Sequence, residues 1–389
     1  MASSSITAPK GKLKVAAVHA APVYMDKRAT TAKVVRIIEE AGKQGIKLLA
    51  FPETFIPGYP YFCEAYPPLQ QVAALARYAE ESVVCDDDDE SGTDPSMRLI
   101  RAACRAAHVT ISLGVSERMP NGGYTLFNSQ VFVDGADGAV LGVHRKLQPT
   151  FAERFVWAQG GGWSLRVVRP KLEGQPRVSA DDGSSSSSSY NLGGLCCWEN
   201  TLNGARQALV EQNQHVHVGA WPALSTMRGF EAVADAQIEA LMKAHALTAQ
   251  VFVLSASNYV DEQCLGWMEE NLGKQDFVRE GGGWSAVIHP FCSFLAGPHT
   301  GSEETLVTAE LDFGDLGPVK VWIDGNGHYK RPEVLEFKFD AKPLWPDEGV
   351  VPKFPGSAQS EASERLKDGK GVSPAGFEEA WNRTRETRQ

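Results

Sequence analysis

Several features that would assign this 389-residue chain to a common protein class are missing from it. No apolar run approaches the ~20 residues of a membrane span, and residues 1–12 contain no hydrophobic core of a signal peptide. Lys and Arg form no cluster, and the formal net charge is −10. We therefore expect no membrane and no nucleic acid among its partners, and a flexible N-terminus over residues 1–12.

Cysteine is sparse as well, with seven residues in the whole chain. An odd number without regular spacing does not match the framework of a small disulfide-linked protein. Free thiols persist in a reducing compartment, so we expect a cytoplasmic protein. Zinc-type HExxH or CxxC pairs and a phosphate-binding loop are also missing from the sequence.

What the chain does contain is an ordinary globular composition, 43 % hydrophobic and 22 % charged. Apolar β-rich segments at 13–20 and 46–51 flank a helix whose apolar residues, including Val34 and Ile38, share one face. Further strands are predicted at 109–117, 124–134, 139–146, 190–197, 214–220, 250–256, 284–290 and 305–311, and helices after Pro95 and at 202–213 and 229–247. Strands outnumber helices, which favours an α/β sandwich flanked by helices over a barrel of equal βα units.

Three segments are predicted to lack regular structure. Residues 61–93 are irregular in pattern and contain the acidic run 86–90, whose spacing indicates a solvated loop and not a calcium site. Residues 179–189 form a serine-rich insertion typical of a flexible surface loop. Residues 336–389 are rich in Pro, Gly, Ser, Lys and Glu and predict an extended or disordered tail.

Three residues stand where covalent catalysis would need them. Cys197 ends a predicted strand, where its thiolate can be a nucleophile, although a free cysteine is more often a small core residue. Glu53 follows an apolar strand in a proline-rich turn, where a carboxylate can act as a general base or lie on the surface. Lys146 also follows a strand, and its ammonium can stabilise an oxyanion or face solvent.

Taken together, these stretches resemble the nitrilase branch of the carbon–nitrogen hydrolase superfamily. The sequence reads "FPETFIPGYP" around Glu53, "RKLQPTFAER" around Lys146 and "CWEN" from Cys197. The similarity continues through "HVHVGAWP" and "GHYKRP" and runs from about Leu13 to Pro332. It implies a single carbon–nitrogen hydrolase domain over residues 13–335.

The resemblance implies a fold and an assembly. The fold is a four-layer αββα sandwich whose protomers pair through helices into dimers, which often extend into spirals. We therefore expect a homodimer or a larger homo-oligomer, with helices 202–213 and 229–247 at the interface. The resemblance further implies that no metal or organic cofactor takes part.

Site residues follow from the resemblance in the same way. Cys197 takes the position of the nucleophile, Glu53 that of its base and Lys146 that of the group that stabilises negative charge. Glu153 takes the position of a second glutamate, which would orient Lys146, and Cys196 that of a buried neighbour. Aromatic residues close by in sequence are expected to line a pocket for the organic group of the substrate or to fill the core, namely Phe55, Tyr59, Trp157 and Trp198.

The chain departs from the family pattern at a few positions. Gly161 stands where an aspartate is usual in "GDG", Thr248 stands where a glutamate is usual, and Asn203 and Gly204 alter the stretch after "CWEN". The serine-rich insertion directly precedes the nucleophile strand. These departures leave the catalytic groups intact and bear on substrate preference and assembly.

The implied activity is hydrolysis of a small organic nitrile to the carboxylic acid and ammonia. The same glutamate, lysine and cysteine also serve hydration of a nitrile or cyanide that stops at the amide, and hydrolysis of an amide. A non-catalytic oligomeric scaffold is the alternative from another class, and the intact set of Glu53, Lys146 and Cys197 argues against it.

Overall fold

The computed structural model describes residues 9–85, 94–120, 123–171 and 189–348, together with five residues between 376 and 382. The acidic run 86–90, nearly all of the serine-rich insertion and most of the predicted tail lie outside the described residues. Within the described ranges, no helix combines the length and the apolar character that crossing a bilayer requires.

Strands and helices alternate along the first part of the chain and again after residue 190. The strands are β1 (Lys12–His19), β2 (Leu48–Ala50), β3 (Thr110–Arg118), β4 (Leu126–Val133), β5 (Val140–Arg145), β6 (Leu192–Cys196), β7 (Val216–Trp221), β8 (Phe252–Ser257), β9 (Ser285–Ile288), β10 (Phe294–His299) and β11 (Thr305–Asp312). The α-helices are α1 (Lys27–Lys43), α2 (Phe62–Ala65), α3 (Val72–Glu80), α4 (Pro95–Ala107), α5 (Asn203–Glu211), α6 (Ala234–Ala249), α7 (Glu262–Leu272) and α8 (Leu316–Trp322).

The strands form two sheets. One has the order β11-β1-β2-β3-β4-β5 and the other the order β10-β9-β8-β7-β6. Each sheet contains three parallel strands. In the first sheet β1–β2–β3 lie at the centre with antiparallel strands on both sides, and in the second β6–β7–β8 lie at one edge with antiparallel strands on the other side. Because the carboxyl ends of parallel strands share one edge of a sheet, the loops that follow them meet there.

Side chains of β1 alternate between two apolar layers. Val15 and Ala17 pack between the two sheets, whereas Ala16 and Val18 face the layer formed by α1 and α4. Helix α6 covers the outer face of the second sheet, where Met242 joins the apolar cluster of that side. The layers are therefore helix, sheet, sheet and helix, and the predicted αββα sandwich is confirmed.

The prediction of an irregular segment over 61–93 was wrong in its first part, because α2 and α3 lie there. Helix α3 has no side-chain cap at its N-terminus, so its stability comes from packing. Tyr78 is fully buried and donates its hydroxyl hydrogen to the Gly58 carbonyl, 2.9 Å away. This contact joins residues 20 positions apart and forms only in the folded chain. The sequence of the short helix therefore does not indicate it.

Residues 336–348, the first part of the predicted tail, contain neither helix nor strand and lie against the domain. The Trp345 indole packs edge-on against Phe127, with ring centroids 5.0 Å apart, and donates to the Gln159 carbonyl at 2.8 Å. Asp347 accepts a hydrogen bond from Arg145, the residue before Lys146.

Candidate active site

Loops at the ends of three strands bring the predicted site residues together. Glu53 follows β2, Lys146 directly follows β5, and Cys197 directly follows β6. The Cys197 Sγ and one carboxylate oxygen each of Glu53 and Glu153 lie within 4.8 Å of one another. Lys146 Nζ lies 2.9 Å from Glu53 Oε1 and 2.7 Å from Glu153 Oε2. The result is a compact, buried group of one thiol, one ammonium and two carboxyl groups.

A close backbone approach sets the position of Glu53. A Cβ on Gly114 of β3 would lie 2.1 Å from the Pro52 carbonyl and 2.8 Å from the Glu53 Cα, so only glycine fits there. Asn128 Nδ2 on β4 donates to Glu53 Oε1 at 2.7 Å. Glu53 Oε2 is buried and has no hydrogen-bond partner among the described residues, so this oxygen is available to take a proton.

Glu153 is held from three directions. It belongs to a short 3₁₀ helix (Phe151–Phe155), and its Oε2 accepts a hydrogen bond from the Thr150 backbone N–H at 2.7 Å, part of a capping box. Its Oε1 accepts from the Tyr59 hydroxyl at 3.0 Å. With Lys146 as the third donor, the carboxylate is fixed and keeps the ammonium in place.

Cys197 has a backbone φ of 52°, in the left-handed region that costs a non-glycine residue about 1–3 kcal/mol. The Glu199 carboxylate accepts hydrogen bonds from the Cys196 backbone N–H at 3.0 Å and from the Leu147 backbone N–H at 2.8 Å. His144 Nε2 lies 2.9 Å from the same carboxylate. Glu199 thus ties the turn around Cys197, the predicted nucleophile (the nucleophile turn), to the loop that carries Lys146, and surrounding contacts hold the strained backbone.

A second polar network reaches the nucleophile turn from the far side. Asn200 Nδ2 donates to the Cys197 carbonyl at 2.9 Å, and Asn200 Oδ1 lies 2.9 Å from His217 Nε2. Gln214 Nε2 lies 3.1 Å from His217 Nδ1, and Gln214 Oε1 lies 3.1 Å from His245 Nε2. The amide donor at Nδ1 assigns the His217 proton to Nε2, so this chain of hydrogen bonds has one direction.

Burial and neighbouring charges shift the pKa values of the central groups. Burial raises the pKa of Glu53 to about 7, with Lys146 opposing the shift and Glu153 adding to it. Burial opposes the charge on Lys146, but the two carboxylates still raise its pKa well above the ordinary value. Burial and the nearby Glu53 raise the pKa of the Cys197 thiol. A resting site with a neutral thiol and a base of pKa near 7 is suited to proton transfer from sulfur to oxygen.

The sequence pattern of the carbon–nitrogen hydrolase family matches residues 14–321, which is most of the chain. This chain belongs to that family. It is 33 % identical to a nitrilase of Pseudomonas syringae pv. syringae, over 90 % of this chain and 96 % of the relative. It is 34 % identical to an aliphatic nitrilase of Rhodococcus rhodochrous, over 86 % of this chain and 84 % of the relative.

Solved structures agree on the fold of this hydrolase. A member of branch 10 of the nitrilase superfamily from Saccharomyces cerevisiae superimposes with a TM-score of 0.60, over 84 % of this chain and 98 % of that one. The two sequences are 17 % identical, so the similarity concerns the fold alone.

The thiol and the two carboxyl groups of the hydrolase are of types that bind metal ions, and their atoms are close enough to share one. The ammonium of Lys146 already lies within hydrogen-bond distance of both carboxylates. A metal cation would have to displace that charge, so the group suits acid–base and nucleophilic chemistry better than metal binding.

Three of the four aromatic residues considered for the pocket lie near the nucleophile. Tyr59 and Trp157 share one apolar cluster with Cys197, and Trp198 packs against that cluster. Phe55 lies elsewhere, in the cluster under α1 and α4, where its ring is 5.6 Å from that of Phe51. Phe55 packs in the helix-covered cluster, whereas the Tyr59 hydroxyl donates to Glu153.

Several residues of the site of this hydrolase were missed in the sequence. Asn128 was visible only as a polar residue in an otherwise apolar strand, and Glu199 and Asn200 only as the last letters of "CWEN". His217 also bonds into the site. These pairings join residues 17 to 75 positions apart, and their distances appear only in the folded chain.

Proposed function

We propose that this hydrolase is a nitrilase, which converts a small organic nitrile to the carboxylic acid and ammonia. The observation that carries the proposal is the placement of an unpartnered carboxylate oxygen, Glu53 Oε2, in a group with the Cys197 thiol and the Lys146 ammonium. Relatives at 33 % and 34 % identity that bear the names nitrilase and aliphatic nitrilase support it.

In the first step, the Cys197 proton moves to Glu53 while the sulfur adds to the nitrile carbon. The C≡N bond loses one of its π bonds, and the nitrogen takes the proton from Glu53 to give a neutral thioimidate and the free Glu53 carboxylate. Lys146 is placed to stabilise the negative charge that develops on nitrogen. Glu153 keeps Lys146 charged and oriented. Covalent catalysis in this form replaces one difficult addition of water by two easier steps.

Glu53 then removes a proton from water, whose oxygen adds to the thioimidate carbon. The nitrogen of the tetrahedral centre takes this proton from Glu53 and leaves as ammonia, which gives a thioester. A second water, again deprotonated by Glu53, adds to the thioester and releases the acid, and the sulfur takes the proton back as the thiol. If the same centre expels the Cys197 sulfur instead, the product is the amide. The alternative of an amide-forming hydratase therefore differs from the nitrilase only in which bond of this centre breaks.

A panel of aliphatic, arylaliphatic and aromatic nitriles, and the matching amides, tests the proposal with ammonia, acid and amide measured together. Nitrilase activity gives acid and ammonia in equal amounts. Amide as the main product identifies the hydratase, and turnover of amides alone identifies an amidase. Absence of turnover of every compound by folded protein would reject all three and favour the scaffold.

We also propose a homodimer or larger oligomer, possible spirals included, in a cytoplasmic location. Partly exposed apolar side chains on α6 and just before α5 and α6 support an interface there, namely Leu202, Phe230, Val233 and Leu247. The odd number of cysteines, seven without regular spacing, supports a reducing compartment. Light scattering tests the assembly: a monomer of 42.2 kDa with full activity would contradict it.

A further inference from the structure

Asn128 contacts two members of the buried group formed by Cys197, Lys146, Glu53 and Glu153 (the catalytic group). Its side-chain Nδ2 donates to Glu53 Oε1 at 2.7 Å, and its backbone carbonyl accepts a hydrogen bond from the Lys146 backbone N–H at 2.8 Å. Asn128 is buried and lies on β4, between β3 and β5. One residue of β4 therefore fixes the predicted base and the predicted cation relative to each other.

The orientation of the Asn128 amide follows from the atom that it faces. An ionised carboxylate oxygen only accepts hydrogen bonds, so the amide atom 2.7 Å from Glu53 Oε1 has to be the nitrogen, because two acceptors would repel each other. The other amide atom, Asn128 Oδ1, is buried and has no hydrogen-bond partner among the described residues. The side chain of Asn128 therefore acts on Glu53 as a donor.

The two oxygens of Glu53 differ in their hydrogen bonds. Oε1 accepts from Asn128 Nδ2 at 2.7 Å and from Lys146 Nζ at 2.9 Å, whereas the buried Oε2 has no partner within the described ranges. Each carboxylate oxygen has about two lone-pair sites, so both sites on Oε1 are in use and Oε2 can bind a proton without loss of either bond. When Cys197 gives up its proton, the S–H bond breaks, the electron pair stays on sulfur, and the new O–H bond forms at Oε2.

The amide also acts on the charge of Glu53. Burial raises the pKa of Glu53 to about 7, and the Asn128 donor opposes this shift because it stabilises the ionised carboxyl. Lys146 opposes the shift as well, and Glu153 adds to it. Without the amide, Glu53 would hold its proton to a higher pH and would be less able to accept one from Cys197 at neutral pH.

Other titratable groups near Glu53 stay uncharged around neutral pH. Burial raises the pKa of the Cys197 thiol. It also raises the pKa values of a second thiol and three phenols that interact with the Glu53 charge, namely Cys196, Tyr59, Tyr61 and Tyr78. A change in the titration of Glu53 near neutral pH, caused by a substitution at position 128, therefore measures the contribution of the amide.

Gln130 offers a matched comparison on the same strand. It lies two positions further along β4, so its side chain is on the same face of the sheet, and it is buried. Its Nε2 donates to Ser112 Oγ at 2.8 Å, and its Oε1 has no partner in the described part of the chain. The two amides share strand, burial and an unpaired oxygen, but Asn128 faces a carboxylate and Gln130 faces a hydroxyl.

We propose that Asn128 is a positioning residue, which directs the Cys197 proton to Glu53 Oε2 and favours the ionised form of Glu53 at neutral pH. The inference rests on the proposed nitrilase function for its kinetic test, and on the geometry alone for its spectroscopic test. Loss of the donor should change the pH at which Glu53 works, whereas loss of a merely structural contact should lower stability without moving that pH.

The kinetic test uses two substitutions of Asn128. Asn128→Ala removes the donor and leaves a smaller side chain, and Asn128→Leu removes it with little change in volume. In either variant the acid limb of kcat/KM for a nitrile should move up by about one pH unit. Gln130→Ala should lower Tm and leave the limb at its wild-type pH. An unmoved limb in the Asn128 variants, each folded by its melting curve, or an equal move in Gln130→Ala, would overturn the inference.

Infrared spectra measure the Glu53 carboxyl without any substrate. The C=O band of its protonated form is identified by its absence from Glu53→Gln, and in the wild type it should disappear with a midpoint of about pH 7 as the pH rises. In Asn128→Ala the midpoint should be higher by about one pH unit. The band should also lie at higher frequency, because Oε1, the carbonyl oxygen when Oε2 holds the proton, has lost a donor.

Gln130→Ala should leave both the midpoint and the frequency of this band at their wild-type values. These outcomes do not depend on hydrolysis of a nitrile, so failure of the proposed function would leave them in place. An unchanged midpoint in folded Asn128→Ala would overturn the inference by itself.

Discussion

Two buried polar networks meet at Cys197, and they differ in charge. On one side, Glu53, Lys146 and Glu153 are ionisable groups of which one carboxylate oxygen has no partner among the described residues. On the other side, Asn200, His217, Gln214 and His245 form a chain of neutral donors and acceptors.

Burial acts on both networks but has opposite consequences. In the charged network it raises the pKa of Glu53 to about 7 and so produces a base that works near neutral pH. In the neutral network it lowers the pKa of His245 to about 3 and that of His217 well below its ordinary value. Those imidazoles therefore stay uncharged. The comparison indicates that the charged network is suited to proton transfer, while the neutral network holds the turn that contains Cys197.

The largest expected effect is that of removing the nucleophile between the two networks. Cys197→Ala should lower kcat by about 10⁴-fold or more, because the covalent route is lost. Cys196→Ala should keep much of the activity. Intact-mass measurement after quenching should show a substrate adduct in the wild type and none in Cys197→Ala. Equal and complete loss in both variants, with both folded, would reject the assignment of the two cysteines.

The next largest effect concerns the charged network. Glu53→Gln keeps the shape of the side chain and its hydrogen bonds but removes the base, so kcat should fall about 10²- to 10⁴-fold. In the wild type, kcat/KM should decline as pH falls below about 7, because Glu53 becomes protonated and cannot accept the thiol proton. Rates measured from pH 5 to 9 check this, and a wild-type profile without an acid limb near pH 7 would contradict the role of Glu53.

A smaller effect is expected from the neutral network. Asn200→Ala leaves the Cys197 carbonyl and His217 without their partner, so it should reduce stability by about 1–3 kcal/mol. Because the nucleophile turn loosens, kcat should fall roughly tenfold with KM little changed. Asn203→Ala, at an exposed position nearby, is the control for both measurements. A change in KM alone would show that Asn200 acts on substrate binding instead.

The pH dependence of stability distinguishes the two networks further. The folded pKa of His245, about 3, lies below its ordinary value of 6.5, so between these pH values only the unfolded chain gains the proton. The contribution of His245 to the free energy of unfolding is therefore fully present above pH 6.5. It decreases as the pH falls below that value, by about 1.4 kcal/mol per pH unit.

His245→Gln keeps a donor to Gln214 and removes that loss, so its free energy of unfolding should fall less between pH 6.5 and 5 than that of the wild type. Glu53 contributes the opposite slope in both proteins, because its raised pKa stabilises the fold below pH 7, and it cancels in the difference. Denaturant titrations at each pH measure the effect, with His328→Gln at an exposed position as the control. Parallel pH curves would show that His245 titrates normally.

The smallest effect is expected outside both networks. Lys12 forms an exposed ion pair with Glu310 across β1 and β11, with the Nζ and Oε1 atoms 2.7 Å apart. Surface pairs of this kind contribute little, since solvent screens them. Lys12→Ala should leave Tm and kcat unchanged within error. A clear loss of Tm would indicate that the sheet edge depends on this pair.

Much of the architecture was predictable from patterns in the sequence. The strand at 13–20 and the helix after it show their apolar periodicity directly, and the motifs around Glu53, Lys146 and Cys197 indicated which strand ends belong together. Helix α3 and the docking of Trp345 were not predictable, because both depend on partners distant in sequence. Composition indicated an unstructured tail from residue 336, whereas a few specific contacts hold its first residues against the domain.

The sequence by itself determined the residue types and their places at strand ends, because periodicity and motif are local properties of the chain. The burial and the neighbouring charges of these residues were decided only by the tertiary structure. The raised pKa of Glu53 and the uncharged state of His245 come from burial, which needs both sheets and their helices in place. The packing of the segment 336–348 against the domain likewise depends on glycine at position 161, because a Cβ there would lie 2.6 Å from Glu348 Oε2 and 2.8 Å from Leu344 Cβ. Chemistry at this site therefore depends on distances that arise when segments far apart in sequence pack together.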